Sequence, residues 1–348
     1  MDIQDILAAI GVVINGLPQG LLALSFGFAS VPTAMAFIIG AIGCGVLGLV
    51  APISFQAETI TLAGTMGNNL RERLSMIFFG ATIMAFIGLF GMLENIINFI
   101  GPVITRGMMV GVGIMLSRVA INMSKDNKPV GFSSILAGVL MFVFTKDLVY
   151  TIVVSVVIGS IVSALFKQDN QIVTDTKEEF TLQKPILNPM VIRGALAMVC
   201  LNIGANIAFG NITGSIADMP VNIDHLAIVS SLADMGSSLF GGAPVESIIS
   251  ATGAAPHPIF SGVMMMSIMA IILFAGLLPK LGKYIPTEAI AGFLLVLGMI
   301  VTVPNNVQAA VDDPLVGGVT MTVTAITDPF LGMISGLIVK FLAISFGL

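Results

Sequence analysis

Two short segments of this chain are near-copies of each other, and each places a carboxylate inside an apolar stretch of membrane length. The first is Ala57-Glu58-Thr59-Ile60, followed by Thr61-Leu62-Ala63-Gly64; the second is Val245-Glu246-Ser247-Ile248, followed by Ile249-Ser250-Ala251-Thr252-Gly253. Both follow a proline, Pro52 and Pro244, and both lead into a Gly/Thr-rich exit. A carboxylate at bilayer depth costs a few kcal/mol on insertion scales, so it persists mainly where it handles a substrate or a proton. Its occurrence at matching places in two halves marks an inverted repeat, the plan on which secondary transporters place a binding site between two copies. The expectation is a transporter.

Composition agrees. A hydrophobic fraction of 56% with 9% charged residues excludes an ordinary soluble domain, in which about a quarter of residues are charged. Asp2 and Asp5 precede the first apolar run and no Lys or Arg does, so the basic leader of a secretory signal is not expected. The 38 glycines suit close helix packing in lipid. Cys44 and Cys200 fall within apolar runs and read as small buried hydrophobes rather than a disulfide or metal ligands. There is no basic nucleic-acid patch, Gly-rich phosphate loop or nucleophile elbow. Nucleic acid is therefore not an expected partner, no cofactor or metal is implied, and no nucleophile, base and orienter can be assembled into an enzyme site.

A helical span needs about 20 apolar residues. Charges, prolines and polar clusters divide the chain into candidate spans near 5–26, 32–51, 75–93, 105–123, 131–145 and 148–166, then 191–212, 226–240, 258–278, 285–303, 314–326 and 329–347. Two further stretches, 53–67 and 242–255, are too broken for full helices and carry Glu58 and Glu246. Counting them gives seven elements in 1–166 and seven in 191–348, with 167–190 as a solvated polar linker. The expected fold is an all-α membrane protein of about fourteen transmembrane elements in two inverted seven-element repeats, elements 3 and 10 being broken into half-helices. Other matches support the repeat. Asn15 and Gln19 in the first element, like Asn202 and Asn206 in the eighth, are four apart and share a helix face. Pro102 leads to Gly107 and Gly113, and Pro286 to Gly292 and Gly298, each glycine pair six apart.

The run Ser231-Leu232-Ala233-Asp234-Met235-Gly236-Ser237-Ser238-Leu239-Phe240-Gly241-Gly242-Ala243-Pro244 resembles a stretch typical of the xanthine/uracil permease family, the nucleobase–ascorbate transporters. Ile285-Pro286-Thr287-Glu288-Ala289-Ile290-Ala291-Gly292-Phe293, continuing to Gly298-Met299-Ile300, is similar to another of its helices, with Gly101-Pro102-Val103-Ile104-Thr105-Arg106-Gly107 as the first-half counterpart. The motif matches cover about residues 195–303. The chain departs from the family where Cys200 to Asn206 lacks the usual Glu and His, and where the tenth-element carboxylate, Glu246, stands about one turn early. The Val-Glu-Ser placement is closer to the guanine/hypoxanthine branch, which tilts the expected cargo toward purines. The resemblance implies a multi-pass protein of the cell inner membrane that imports or exports a nucleobase with a proton, or Na+ in its place. The expected partners are that base, the coupling ion, the lipid bilayer and a second copy of the chain in a homodimer.

On this reading Glu246, Asn202, Asn206, Ser247, Ala243, Glu58 and Gln56 bind substrate, and Glu246 with Asp234 handles the proton. An ionised Glu246 could accept two N–H bonds from a planar heterocycle, and the asparagines could both donate and accept. The blander alternative is that Glu246 and Glu58 cap their own half-helices and that Asp234 is an acid satisfied by backbone amides. His225 and His257 sit at element edges and read as solvated; Arg118 and Lys340, near span ends, read as snorkelling. Two rival functions are a non-coupled membrane channel, against which no helix carries a continuous polar stripe, and the same 7+7 plan carrying a small anion of sulfate or bicarbonate type. Glu246 weighs against the anion, because like charges in a desolvated pocket repel strongly. The basic residues bear on orientation: loops after odd-numbered elements hold Arg71, Arg73, Lys125, Lys128, Lys167, Lys177, Lys184, Arg193, Lys280 and Lys283. Arg106 and Lys146 lie on the other side, so the positive-inside rule places both termini outside the cytoplasm. The family resemblance implies the reverse.

Overall fold

A computed structural model describes residues 2–166 and 180–346, apart from the side chains of Asn206 and Ile207. The elements run α1 (Ile3–Ser25), α2 (Ser30–Leu47), β1 (Ile53–Ser54), α3 (Ala57–Met66), α4 (Leu70–Leu89), α5 (Leu93–Ile100), α6 (Pro102–Asp126), α7 (Lys128–Thr145) and α8 (Leu148–Leu165). After the linker come α9 (Pro189–Ala217), α10 (Ile223–Ser238), β2 (Glu246–Ser247), α11 (Pro258–Phe274) and α12 (Leu277–Gly282). A 3₁₀ turn (Thr287–Ile290), α13 (Ala291–Leu295), a π-helical stretch (Val296–Thr302) and α14 (Val303–Ala310) together make one span, followed by α15 (Pro314–Ile326) and α16 (Pro329–Phe346). Nine helices among the described residues are long and apolar enough to cross a membrane. The architecture is a multi-pass membrane protein of two inverted seven-element repeats.

The chain packs as two compact units, each drawing on both repeats. The first comprises residues 2–93, 180–195 and 205–285. It takes elements 1–4 from one half and their counterparts from the other. In it α10 packs on α2 and α4, and α11 on α1 and α2. The strands pair antiparallel, Ile53 opposite Ser247 and Ser54 opposite Glu246. The two copied segments seen in the sequence thus lie side by side.

The second unit comprises 94–166, 196–204 and 286–346. Here α6 packs against α13, α14, α15 and α16, and α7 against α8 and α13. The repeated glycines account for the closest of these approaches. A Cβ on Gly113 would stand 2.7 Å from the Gly298 carbonyl oxygen, and one on Gly298 would overlap the Gly113 oxygen. Ser134 Oγ donates to the Ala289 oxygen (2.6 Å) and accepts from the Gly292 N–H (3.0 Å), tying α7 to the start of the twelfth span. Lys340 does more than snorkel: its Nζ donates to the carbonyls of Phe99 (3.3 Å) and Ile100 (3.2 Å) and so caps the end of α5.

Two departures from the sequence expectation have local causes. The third element is a strand followed by a ten-residue half-helix, but the tenth holds only a four-residue 3₁₀ turn, Ala251–Ala254, after its strand. Pro256 and Pro258 push Ala255 and His257 out of the α region, so no helix can propagate before α11. Of the polar linker, 167–179 lie outside the described residues. Residues 180–188 are mostly exposed yet pinned down: Gln183 N donates to the Leu239 oxygen (2.7 Å) and Ile186 N to Ser75 Oγ (3.0 Å). Asn188 Nδ2 donates to a Glu72 carboxylate that also accepts from Asn68.

Candidate functional site

The first unit gathers most of the sequence-predicted site around the junction of β1 and α3. α1 approaches this junction closely because Gly16 and Gly20, one turn apart, carry no side chain. A Cβ on Gly16 would lie 3.2 Å from Ser54 Oγ, and one on Gly20 2.9 Å from the Phe55 ring. Gln19, between them, reaches across α1 to the half-helix. Its Oε1 accepts the Ala57 N–H at 2.8 Å, one of the first-turn donors that has no partner inside the helix. Glu58 is buried in the first turn of this half-helix. Gln56, at the N-cap, accepts from Thr59 Oγ1 (2.8 Å) and donates to the Ser247 oxygen (3.4 Å), bridging the two broken elements. Gln56, Glu58, Thr59, Glu246 and Ser247 are all buried.

The α3 N-terminus carries a partial positive charge, which favours an anion, although its first N–H is already taken by Gln19 Oε1. Beside it Asn15 Oδ1 and Ser54 Oγ are buried with no hydrogen-bond partner. Asn15 and Gln19 lie on one face of α1, a turn apart. Such atoms are uncommon among buried polar groups, and each calls for an explanation such as an unseen ligand.

Behind this junction is a pair of acids. Asp234, on α10, accepts the N–H of Val245, the residue before Glu246, at 2.7 Å. Asp234 and Glu246 are each 1% exposed. Ser54 and Glu246 are directly opposed across the strand pair, which sends their side chains to the same face of the ribbon.

Sequence reasoning put Glu58, Gln56, Glu246, Ser247 and Asp234 on the site list, and the structure brings these together in the first unit. Ala243 joins them, although its N–H is bound by Thr33 Oγ1 (2.8 Å) and its oxygen by Ser237 Oγ (2.9 Å). Asn202 is buried, with no hydrogen-bond partner for its Oδ1, and belongs to the second unit. The Asn206 side chain lies outside the described residues. Gln19 and Ser54 were missed as site residues. The only signal for Gln19 was its four-residue spacing from Asn15, which the repeat argument used as a symmetry mark.

Fold and site together define a class, the transmembrane domain built of seven plus seven inverted elements around two broken ones. Solved structures of that class match the chain over nearly its whole length. The transmembrane domain of a cyanobacterium bicarbonate transporter, BicA, matches with a TM-score of 0.62 at 14% identity, covering 93% of this chain and 97% of that one. The overall structure of SLC26A9 matches with a TM-score of 0.72 at 14% identity, over 99% of this chain and 65% of that one. The murine SLC26A9 anion transporter in the inward-facing state matches with a TM-score of 0.70 at 15% identity, over 99% and 68%. The chain thus spans about two thirds of the length of SLC26A9. Identities this low carry the fold alone. No family model matches the chain, and no curated protein matches it in sequence.

These structures correct two expectations. The resemblance to the xanthine/uracil permease family does not stand, because the solved structures matched are of anion transporters, and the nucleobase falls as the expected partner. The reason lies in what the motif residues do. Asp234 holds the Val245 amide, Ser237 the Ala243 carbonyl, and the Gly241 oxygen accepts the Ala29 N–H at 2.8 Å. The stretch from Ser231 to Pro244 fastens the entrance of the broken tenth element to α10 and α2. That task comes with the fold and says nothing about cargo.

Proposed function

We propose that this chain is a secondary transporter that moves a small anion across the membrane together with protons. The observation that carries this reading is the seat at the start of α3: the positive end of a half-helix beside the buried, partnerless Ser54 Oγ, a hydroxyl free to donate to an anion, with Asn15 Oδ1 free to accept from a protonated one. The anion transporters among the structural neighbours support it.

Glu246, which weighed against an anion in the sequence, becomes with Asp234 the coupling device. An external anion is repelled by ionised carboxylates in a desolvated site, so it binds when they are neutral and brings protons with it. In this reading the buried acids Asp234 and Glu246 carry the proton. The test is uptake into liposomes carrying the purified protein, with sulfate, bicarbonate, chloride and a small carboxylate supplied in turn under an inward proton gradient. Accumulation of one of these, faster at acid external pH, is the expected result. Failure to take up any of them, or uptake indifferent to the proton gradient, would overturn the proposal.

A further inference from the structure

We infer that Arg73 is a positioning residue for the anion seat, holding α3 at the axial position where its first turn meets Gln19; this rests on the anion reading above. Arg73 lies one turn into α4, where a cation opposes that helix's own dipole. Its contacts are with two other helices instead. Nη1 donates to the oxygen of Phe26, the C-cap of α1, at 2.6 Å, and Nε donates to the oxygen of Gly67, the C-cap of α3, at 3.1 Å. The guanidinium carbon stands 5.9 Å from the centroid of the Phe26 ring, within the range of a cation–π contact. That ring in turn presses on α3 at Gly64, where any Cβ would overlap it.

One planar cation therefore joins the C-terminal ends of α1 and α3 and satisfies carbonyls that the helices leave unpaired. At the other end of α3, Gln19 of α1 meets Ala57 N at 2.8 Å. The pair α1 and α3 is tied at both ends. A slip of α3 by one residue moves it about 1.5 Å along its axis, enough to break the Gln19 contact and displace the seat. Lysine cannot replace this function fully, since it lacks the fork that reaches two acceptors in one plane.

The experiment compares the full chain with its Arg73→Gln and Arg73→Lys variants in liposomes, under the uptake conditions above. In Arg73→Gln the KM for the transported anion should rise about tenfold, the scale of one lost hydrogen bond to a charged ligand, while Vmax per folded molecule stays within about twofold. Arg73→Lys should recover part of the affinity. Fewer folded molecules with an unchanged KM would overturn the inference. If Arg73→Gln does not fold, Phe26→Leu keeps the carbonyl acceptor and removes the ring; an unchanged KM there overturns the inference equally, and a raised one supports it. A second readout needs no anion. With Cys44 and Cys200 replaced by alanine, a cysteine at exposed Thr65, in the last turn of α3, should react with a maleimide at a different rate once Arg73→Gln is added. An identical rate would overturn the inference. A wild type that transports none of the anions defeats the proposed function, yet the cysteine rate still decides the role of Arg73.

Discussion

Glu246 and Glu58 occupy matching places in the two repeats but have different neighbours. Glu246 is buried beside the Val245 amide that Asp234 holds, whereas Glu58 is buried in the first turn of the half-helix α3. Their removal should separate accordingly. Glu246→Gln and Asp234→Asn should each flatten the rise in uptake that wild type shows as external pH falls, because each removes a titrating partner from the pair. Asn at 234 keeps an oxygen for Val245 N, so the fold should survive. Glu58→Gln should leave most of the pH response and lower stability by about 0.3–1 kcal/mol, the usual worth of a carboxylate at a helix N-terminus, read as a fall in the melting temperature in detergent. Equal and mild effects of all three substitutions on the pH profile would mean that these acids are purely architectural. The sequence disclosed these carboxylates because a charge in an apolar run stands out. It hid Gln19, Ser54 and Arg73, whose roles depend on which turn of one helix meets which end of another.

Element existence was legible almost throughout, because twelve apolar runs of near-membrane length have few alternatives in a chain this hydrophobic. The misses fall where length gives no signal. α5 and α12, of eight and six residues, are too short to span, and the sequence reading merged their starts into the preceding helices. The tenth element was read as a half-helix by analogy with the third, whereas it holds only a 3₁₀ turn, which Pro256 keeps from extending. The glycine repeats, weak as a sequence signal, prove to be a packing device. Gly113 and Gly298 meet backbone to backbone in the second unit, so Gly113→Ala should destabilise the protein by about 1–3 kcal/mol through overpacking. Gly45 in α2 is the opposite case, since a Cβ there would meet only Val263 at an ordinary 3.5 Å. Gly45→Ala should stabilise by about 0.5–1 kcal/mol, the helix-interior difference between the two residues. Melting temperatures of the two variants moving in the same direction would contradict this account.

For the molecule as a whole, orientation turns on whether the broken elements cross the bilayer. α3 has ten residues, about 15 Å of helix, and the eight non-helical residues 49–56 before it add up to about 26 Å at strand rise. The run 241–250 holds no helix and reaches about 30 Å if extended. Either suffices for a hydrocarbon core about 30 Å thick, whereas α5 and α12 at about 12 and 9 Å do not. Counting both broken elements as crossings makes fourteen, the count on which the charge argument rests. Ten Lys and Arg residues follow odd-numbered crossings, against Arg106, Lys146 and Lys340 on the other side; Lys340 reaches α5, which follows the fourth crossing. On that count the Lys and Arg bias predicts the linker in the cytoplasm and both termini outside, the reverse of what the nucleobase-permease resemblance implied. With Cys44 and Cys200 replaced, a cysteine at Thr174 in the linker should resist an impermeant maleimide in intact cells and react once the membrane is permeabilised. Labelling in intact cells would reverse the assignment, leaving the basic loops outside against the positive-inside bias.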